Sequence, residues 1–302
     1  MRGRGFLAGL GIVAVCVAVQ AAPPVAGNDT GGGKTITIPL TLPSSAKPLE
    51  LVLIPHGSFT MGSPTSEQGR YPDETQYQVT ISRDFYIGKY EVTNAQFRAF
   101  RPNHNSKEYN GLTLNEDDQP VVYVSWYDVK AFFEWLNTQC GNAYPGMRFR
   151  LPTESEWEYA CRAGTETRRY WGDDLNEDQA CGYANVRDLT GKDKWDWTSV
   201  FNCSDGYGAT ALVGQFQPNA FGLYDMIGNV WEWCNDWYGP YPSGSAIDPV
   251  GPDFGENRMN RGGSWFYYPG YCRSAHRNWN YPTLSDLNVG FRIVLSSWTP
   301  QQ

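Results

Sequence analysis

The run Gly222-Leu-Tyr-Asp-Met-Ile-Gly-Asn-Val-Trp-Glu-Trp-Cys234 sets a glutamate between two tryptophans behind a Gly-Asn step. Arg261-Gly-Gly-Ser-Trp265 follows some thirty residues later. The run has neither the 3.6-residue period of an amphipathic helix nor the alternation of a half-buried strand. Bulky rings beside glycines suit a fixed loop in which carboxylate and backbone oxygens converge while aromatic surface excludes water. It therefore reads as a metal-ordered loop at the core of the fold. Aromatic residues make up 15% of the chain, with 32 Gly and 20 Pro, which describes a loop-rich fold around a heavy aromatic core. A disordered chain would be depleted in such rings.

The net charge is −8 and only 19% of residues are charged. That leaves no basic field for nucleic acid or anionic lipid. Arg2 and Arg4, an apolar stretch from Phe6 to Val19 and the small-residue site Val19-Gln20-Ala21 form a signal peptide over residues 1–21. The apolar stretch is too short for a membrane span. Val15 stands where a lipoprotein signal wants a small residue before Cys16, so the expected fate is export to the periplasm, cell surface or medium. Residues 22–48, rich in Pro, Gly, Ser and Thr, read as a flexible linker, and residues 49–298 as one domain. Six cysteines remain, at 140, 161, 181, 203, 234 and 272. In an oxidising compartment an even number invites disulfides, and Cys181 and Cys203, which bracket one irregular segment, are the best pair. Buried thiols are the alternative for the others.

Along the domain, Leu51–Pro55 and Tyr77–Ile81 read as strands. Thr93 caps a first helix over 94–100. Ser125, with Asp128 three residues on, caps a second that carries Trp126, Val129, Phe132, Phe133 and Leu136 on one face. Thr153, boxed with Glu156, starts a third that ends at Gly164. Beyond it the chain predicts only short strands and loops.

Eight segments then fall into a family order. They are Leu53–Gly62, Tyr90–Asn94, Pro120–Trp126, Arg150–Ala160, Pro218–Met226, Gly228–Trp233, Arg261–Trp265 and Gly290-Phe-Arg292. Across about residues 50–295 the chain resembles the formylglycine-generating enzyme family, also called sulfatase-modifying factors. The resemblance implies an α+β, C-type-lectin-like single domain, loop-rich, with short helices and short antiparallel strands. It also implies two calcium ions. One would be held by Asn185, the Val186 carbonyl, Asp205 and the Tyr207 carbonyl; the other by Asp225, the carbonyls of Gly228 and Val230, and Glu232. Mixed carboxylate and carbonyl oxygens suit calcium better than a transition metal. The alternative reading makes Asp205 and Asp225 solvated turn formers and pairs Glu232 with an arginine.

Family oxidases hold copper on two cysteines shortly after the Arg-Gly-Gly-Ser motif, five residues apart. Here counting forward from Arg261 puts Tyr267 at the first position and Cys272 at the second. Counting back from Gly290 leaves Cys272 outside the site. Copper(I) wants soft thiolates, so copper and a catalytic Cys272 belong only to an oxidase reading, with Cys234 or Cys161 as second donor. His56, His104 and His276 stand far apart, without metal-ligand spacing, and read as surface or loop residues. Trp265, Phe266, Tyr267, Tyr268, Tyr271, His276, Trp279 and Tyr281 crowd one segment with small polar residues. This is the chemistry of a surface that binds a protein or glycan, unless half of the rings pack inward. The segment also resembles the variable region of ligand-binding proteins diversified by retroelements. Three functions stay open: a calcium-stabilised non-oxidase that binds a ligand; a formylglycine-generating oxidoreductase acting on a sulfatase or another substrate; and a diversified receptor.

Overall fold

Three helices begin where the capping residues place them. In the computed structural model, which describes residues 34–297, Thr93, Ser125 and Thr153 each close a reciprocal capping box. They open α1 (Asn94–Arg98), α2 (Trp126–Cys140) and α3 (Glu154–Arg162). In α3 the Thr153 hydroxyl accepts from Glu156 N–H at 3.1 Å while the Glu156 carboxylate accepts from Thr153 N–H at 2.9 Å, satisfying two end donors at once. The apolar face expected of α2 is buried, with Phe132 stacked on Phe97 at 5.6 Å between ring centroids. Ala163 in the left-handed conformation terminates α3, one residue before the glycine expected to do so. A fourth helix, α4 (Leu189–Trp195), lacks apolar periodicity and was not predicted. Asp188 caps it, and Gly191 is required because a side chain there would meet the Trp197 ring at 2.0 Å.

The largest sheet runs β1 (Thr35–Ile38), β2 (Leu49–Ile54), β5 (Phe85–Gly88), β14 (Val294–Ser296) and β8 (Arg148–Arg150), antiparallel throughout. Residues 34–48 thus carry a strand where a linker was expected. Ile36 and Ile38 face the aliphatic core beside Leu49 and Leu51. The signal segment and residues 22–33 lie outside the described residues. A second sheet joins β3 (Gly57–Met61), β4 (Tyr77–Ile81) and β10 (Ala246–Ile247). A third runs β12 (Asn278–Asn280), β11 (Arg258–Arg261), β9 (Trp231–Trp237) and β13 (Val289–Gly290). Most pairs are antiparallel, as expected, and the two-residue pairs β10–β4 and β13–β9 are parallel. A small hairpin, β6 (Glu108–Tyr109) and β7 (Leu112–Thr113), completes the strands.

Between these short elements lies a core in three clusters, in which Trp157, Trp231, Trp233 and Trp265 are fully buried. The disulfide Cys181–Cys203 forms as expected. No helix of the described residues is long and apolar enough to cross a membrane.

Candidate functional site

The Trp231-Glu-Trp233 run is the start of β9, and every residue from Trp231 to Asp236 is buried. Glu232 is held there by Arg292, whose Nε and Nη2 donate to its two oxygens at 2.6 Å each, and by Trp157 Nε1 at 2.7 Å. Arg292 also donates to the carbonyls of Gly88 and Tyr224, so one guanidinium ties β5, β9 and the loop before Asp225 together. Both oxygens of Glu232 are therefore committed to the protein, which favours the arginine pairing over a carboxylate free to ligate an ion.

Around this pair the loops converge on Asn185 and Asn229. Gly228, at φ +86°, approaches so closely that a Cβ would lie 2.3 Å from the Asn185 carbonyl. Asn229 N–H donates to that same carbonyl at 2.7 Å. Its side chain donates to Glu91 and accepts from Asn185 and Ala211. Of the first expected calcium set, the Val186 and Tyr207 N–H groups hold the Asp205 carboxylate at 2.8 and 2.7 Å. Burial, aided by the adjacent Asp188 carboxylate, pushes Asp205 up to about 8. Asp188, which sequence reasoning did not include, caps α4 and accepts from Asp205 N–H, and its hydroxyl neighbour Thr190 gave no signal. Among the described residues, Cys181, Asp188 and Asp205 form the only group of three or more such side chains close enough to share an ion, though Cys181 is spent on the disulfide.

Asn185 Oδ1 and Asp225 Oδ1 are buried without a partner among the described residues. Burial pushes Asp225 up to about 6, and burial with the Asp225 and Glu232 carboxylates holds Glu91 well above the usual carboxylate range. Orphaned hard oxygens and crowded buried carboxylates fit a divalent hard cation. For the first set the fit rests on the orphaned Asn185 Oδ1 and the buried Asp205 carboxylate. For the second set it rests on Asp225 and the Gly228 and Val230 carbonyls rather than on Glu232.

The soft-metal reading finds different ground. Cys140, Cys161, Cys234 and Cys272 are all buried. Cys272 packs beneath Gly263, where an added Cβ would sit 2.6 Å from its sulfur, and burial pushes its thiol up to about 11. Cys161 contacts Ser274 and is pushed up to about 12 by burial, and burial holds Cys234 well above the ordinary thiol range. Thiols buried in this way present no open position to copper(I).

The aromatic segment splits. Trp265 is 1% exposed and packs on Tyr109 and Phe266, and His276 is 3% exposed. Neither can present a surface, because this helix-poor domain fills its core with C-terminal rings. Phe266 is half-buried against Tyr109 and Trp197. Tyr267, Tyr268 and Tyr271 form an aromatic wall with Tyr71, which sequence reasoning missed. Tyr71 lies 6.0 Å from Tyr271 and 5.1 Å from His276 between ring centroids. Arg187 lies over the exposed Tyr268 ring at 4.2 Å. Behind the wall stands Trp231, 5.4 Å from Tyr267 and 5.8 Å from His276; its Nε1 and the His276 Nε2 lack partners among the described residues. Arg273 bridges Glu74 and Glu67, and Glu74 lies 3.5 Å from His276 Nδ1. Trp279 and Tyr281 are exposed separately, on and just after the edge strand β12, with Trp279 5.6 Å from Tyr238.

Short helices and small mixed sheets, knotted by buried Arg–carboxylate pairs behind a Gly-Gly turn, define an α+β domain of the formylglycine-generating type. The chain belongs to the family of sulfatase-modifying factor enzyme 1-like domains, which it matches over residues 40–297. It is 31% identical to a formylglycine-generating enzyme of Streptomyces coelicolor, an alignment covering 92% of this chain and 96% of that one. Among solved structures, PvdO from Pseudomonas aeruginosa superposes with a TM-score of 0.68 at 32% identity, covering 84% of this chain and 97% of that one. Treponema denticola variable protein 1 superposes with a TM-score of 0.68 at 25% identity, covering 86% and 98%.

Proposed function

We propose that this chain is an exported, calcium-stabilised, non-oxidase member of its family that binds a protein or glycan ligand through the aromatic surface following Arg261. The observation that carries the proposal is the exchange made in that segment. Tyr268, Trp279 and Tyr281 are 42%, 44% and 62% exposed, while Cys272 is buried beneath Gly263. Rigid rings with a polar tip give contact area at low entropic cost. Because the family is described by its action on sulfatases, a sulfatase polypeptide is the protein ligand to test first. Calcium, on Asn185, Asp205, Asp225 and the neighbouring carbonyls, would supply charge to offset buried carboxylates and hold the loops that carry them.

Metal analysis of the purified protein, with copper(I) titration of wild type and Cys272→Ala, tests the non-oxidase part. Calcium without tight copper binding is expected. Tight copper binding lost in Cys272→Ala would establish the oxidase instead. Binding to glycan and sulfatase-peptide panels should fall at least tenfold in Tyr268→Ala or Trp279→Ala; unchanged binding in both would remove the aromatic surface from the reading.

A further inference from the structure

A surface cleft of about 320 Å³ lies between the loop at 64–68 and the loop at 166–175, away from the exposed rings of β12. Its floor is Arg168, whose side chain is only 3% exposed. The Arg168 Nε and Nη1 have no hydrogen-bond partner among the described residues. Its nearest carboxylate is Glu177 at 3.4 Å, and Glu177 also faces Arg169 at 3.6 Å. A buried guanidinium with idle donors and half a counter-ion is unfavourable unless an acceptor completes it.

The rim carries the opposite charge. Glu67 is neutralised by Arg273 at 2.5 Å. Glu166 and Asp173 are exposed and have no ion pair among the described residues; Asp173 accepts only the Arg168 backbone N–H, at 3.0 Å. Pro64 and the 68% exposed Leu175 supply apolar wall. A simple anion would suit the floor but be repelled by the rim, and a simple cation the reverse. The volume sits at the low end of small-molecule sites.

We infer that this cleft binds a zwitterion: a free α-amino acid with an apolar side chain, its carboxylate on Arg168, its ammonium toward Glu166 and Asp173, and its side chain against Pro64 and Leu175. The test is isothermal titration of the full folded protein with L-leucine, L-leucinamide and N-acetyl-L-leucine. L-leucine should bind, and each blocked analogue should bind at least tenfold more weakly. Arg168→Gln should abolish the preference for L-leucine over L-leucinamide, and Glu166→Gln the preference over N-acetyl-L-leucine. Should Arg168→Gln fail to fold, Glu166→Gln, at an exposed position, still decides the matter. No binding of L-leucine overturns the inference. So does N-acetyl-L-leucine binding as tightly as L-leucine, since the cleft would then read a lone carboxylate such as a polypeptide C-terminus. Tyr268→Ala should leave L-leucine binding unchanged, which separates this site from the aromatic surface.

Discussion

Replacing Glu232 by Gln tests whether that carboxylate serves Arg292 or an ion. Both residues are fully buried, and Arg292 makes two 2.6 Å contacts to Glu232. The amide keeps the shape and one acceptor but strips the charge, and its NH2 would face a guanidinium N–H. Removing one partner of a buried ion pair typically costs about 3–5 kcal/mol. The negative charge of nearby Asp225 also favours the Arg292 cation, so the lower end applies, about 3 kcal/mol. For a domain of this size that is a fall in Tm of roughly 6–10 °C. Thermal and urea unfolding should be run with saturating calcium and with EGTA. The gap between Glu232→Gln and wild type should be the same in both, because the Arg292 partnership needs no ion. Asp205→Asn provides the contrast: its carboxyl is raised by burial, so the neutral amide should be harmless or mildly stabilising in EGTA and costly only with calcium. A Glu232→Gln gap that shrinks below about 1 kcal/mol in EGTA would refute the assignment and make Glu232 an ion ligand.

Gly263→Ala forces a left-handed residue, at φ +79°, and sets a methyl 2.6 Å from Cys272 Sγ and 3.0 Å from its Cα. A loss of about 2–4 kcal/mol in urea unfolding is expected, with partial recovery in Gly263→Ala/Cys272→Ala; no coupling between the two would show that Cys272 does not pack there. Glu74 is held down to about 2, burial being outweighed by hydrogen bonds from Arg273, His276 and Ser63 and by the charge of Arg273. Its lowered pKa stabilises the fold above about 4.5, and that contribution, about 3 kcal/mol, drains away as pH falls toward 2. Glu74→Gln should flatten this part of the stability–pH curve, and an unaltered slope would count against the pairing. Removing the disulfide as Cys181→Ser/Cys203→Ser should lower stability by about 3 kcal/mol in chemical denaturation, with no change for wild type in its absence of reductant.

Much of the fold was legible because its signals are local. Thr93, Ser125 and Thr153 announce helices through two short-range hydrogen bonds each, and the α2 face repeats at helical spacing. Strand β1 and helix α4 were not legible, since Thr-Ile-Thr-Ile beside a Pro/Ser stretch and Leu-Thr-Gly-Lys are ordered by distant partners, Leu49–Val52 and Trp197. The same division holds in the site. Asn185 and Asp205 came into view only through the family resemblance, and Asp188 and Tyr71 act only through chain segments folded against them. The inward turn of Trp265 and His276 was likewise a matter of three-dimensional volume, invisible in a row of aromatic letters.

The strand order of the largest sheet carries one last consequence. Val294–Ser296 lies in the middle, clasped between Phe85–Gly88 and Arg148–Arg150, although it comes almost at the end of the described residues. A chain still emerging from its ribosome has two unsatisfied edges waiting for a piece not yet made. Closure of this sheet therefore waits for Val294–Ser296, and a copy that ends before Val294 should be cleared by proteases instead of accumulating half-built.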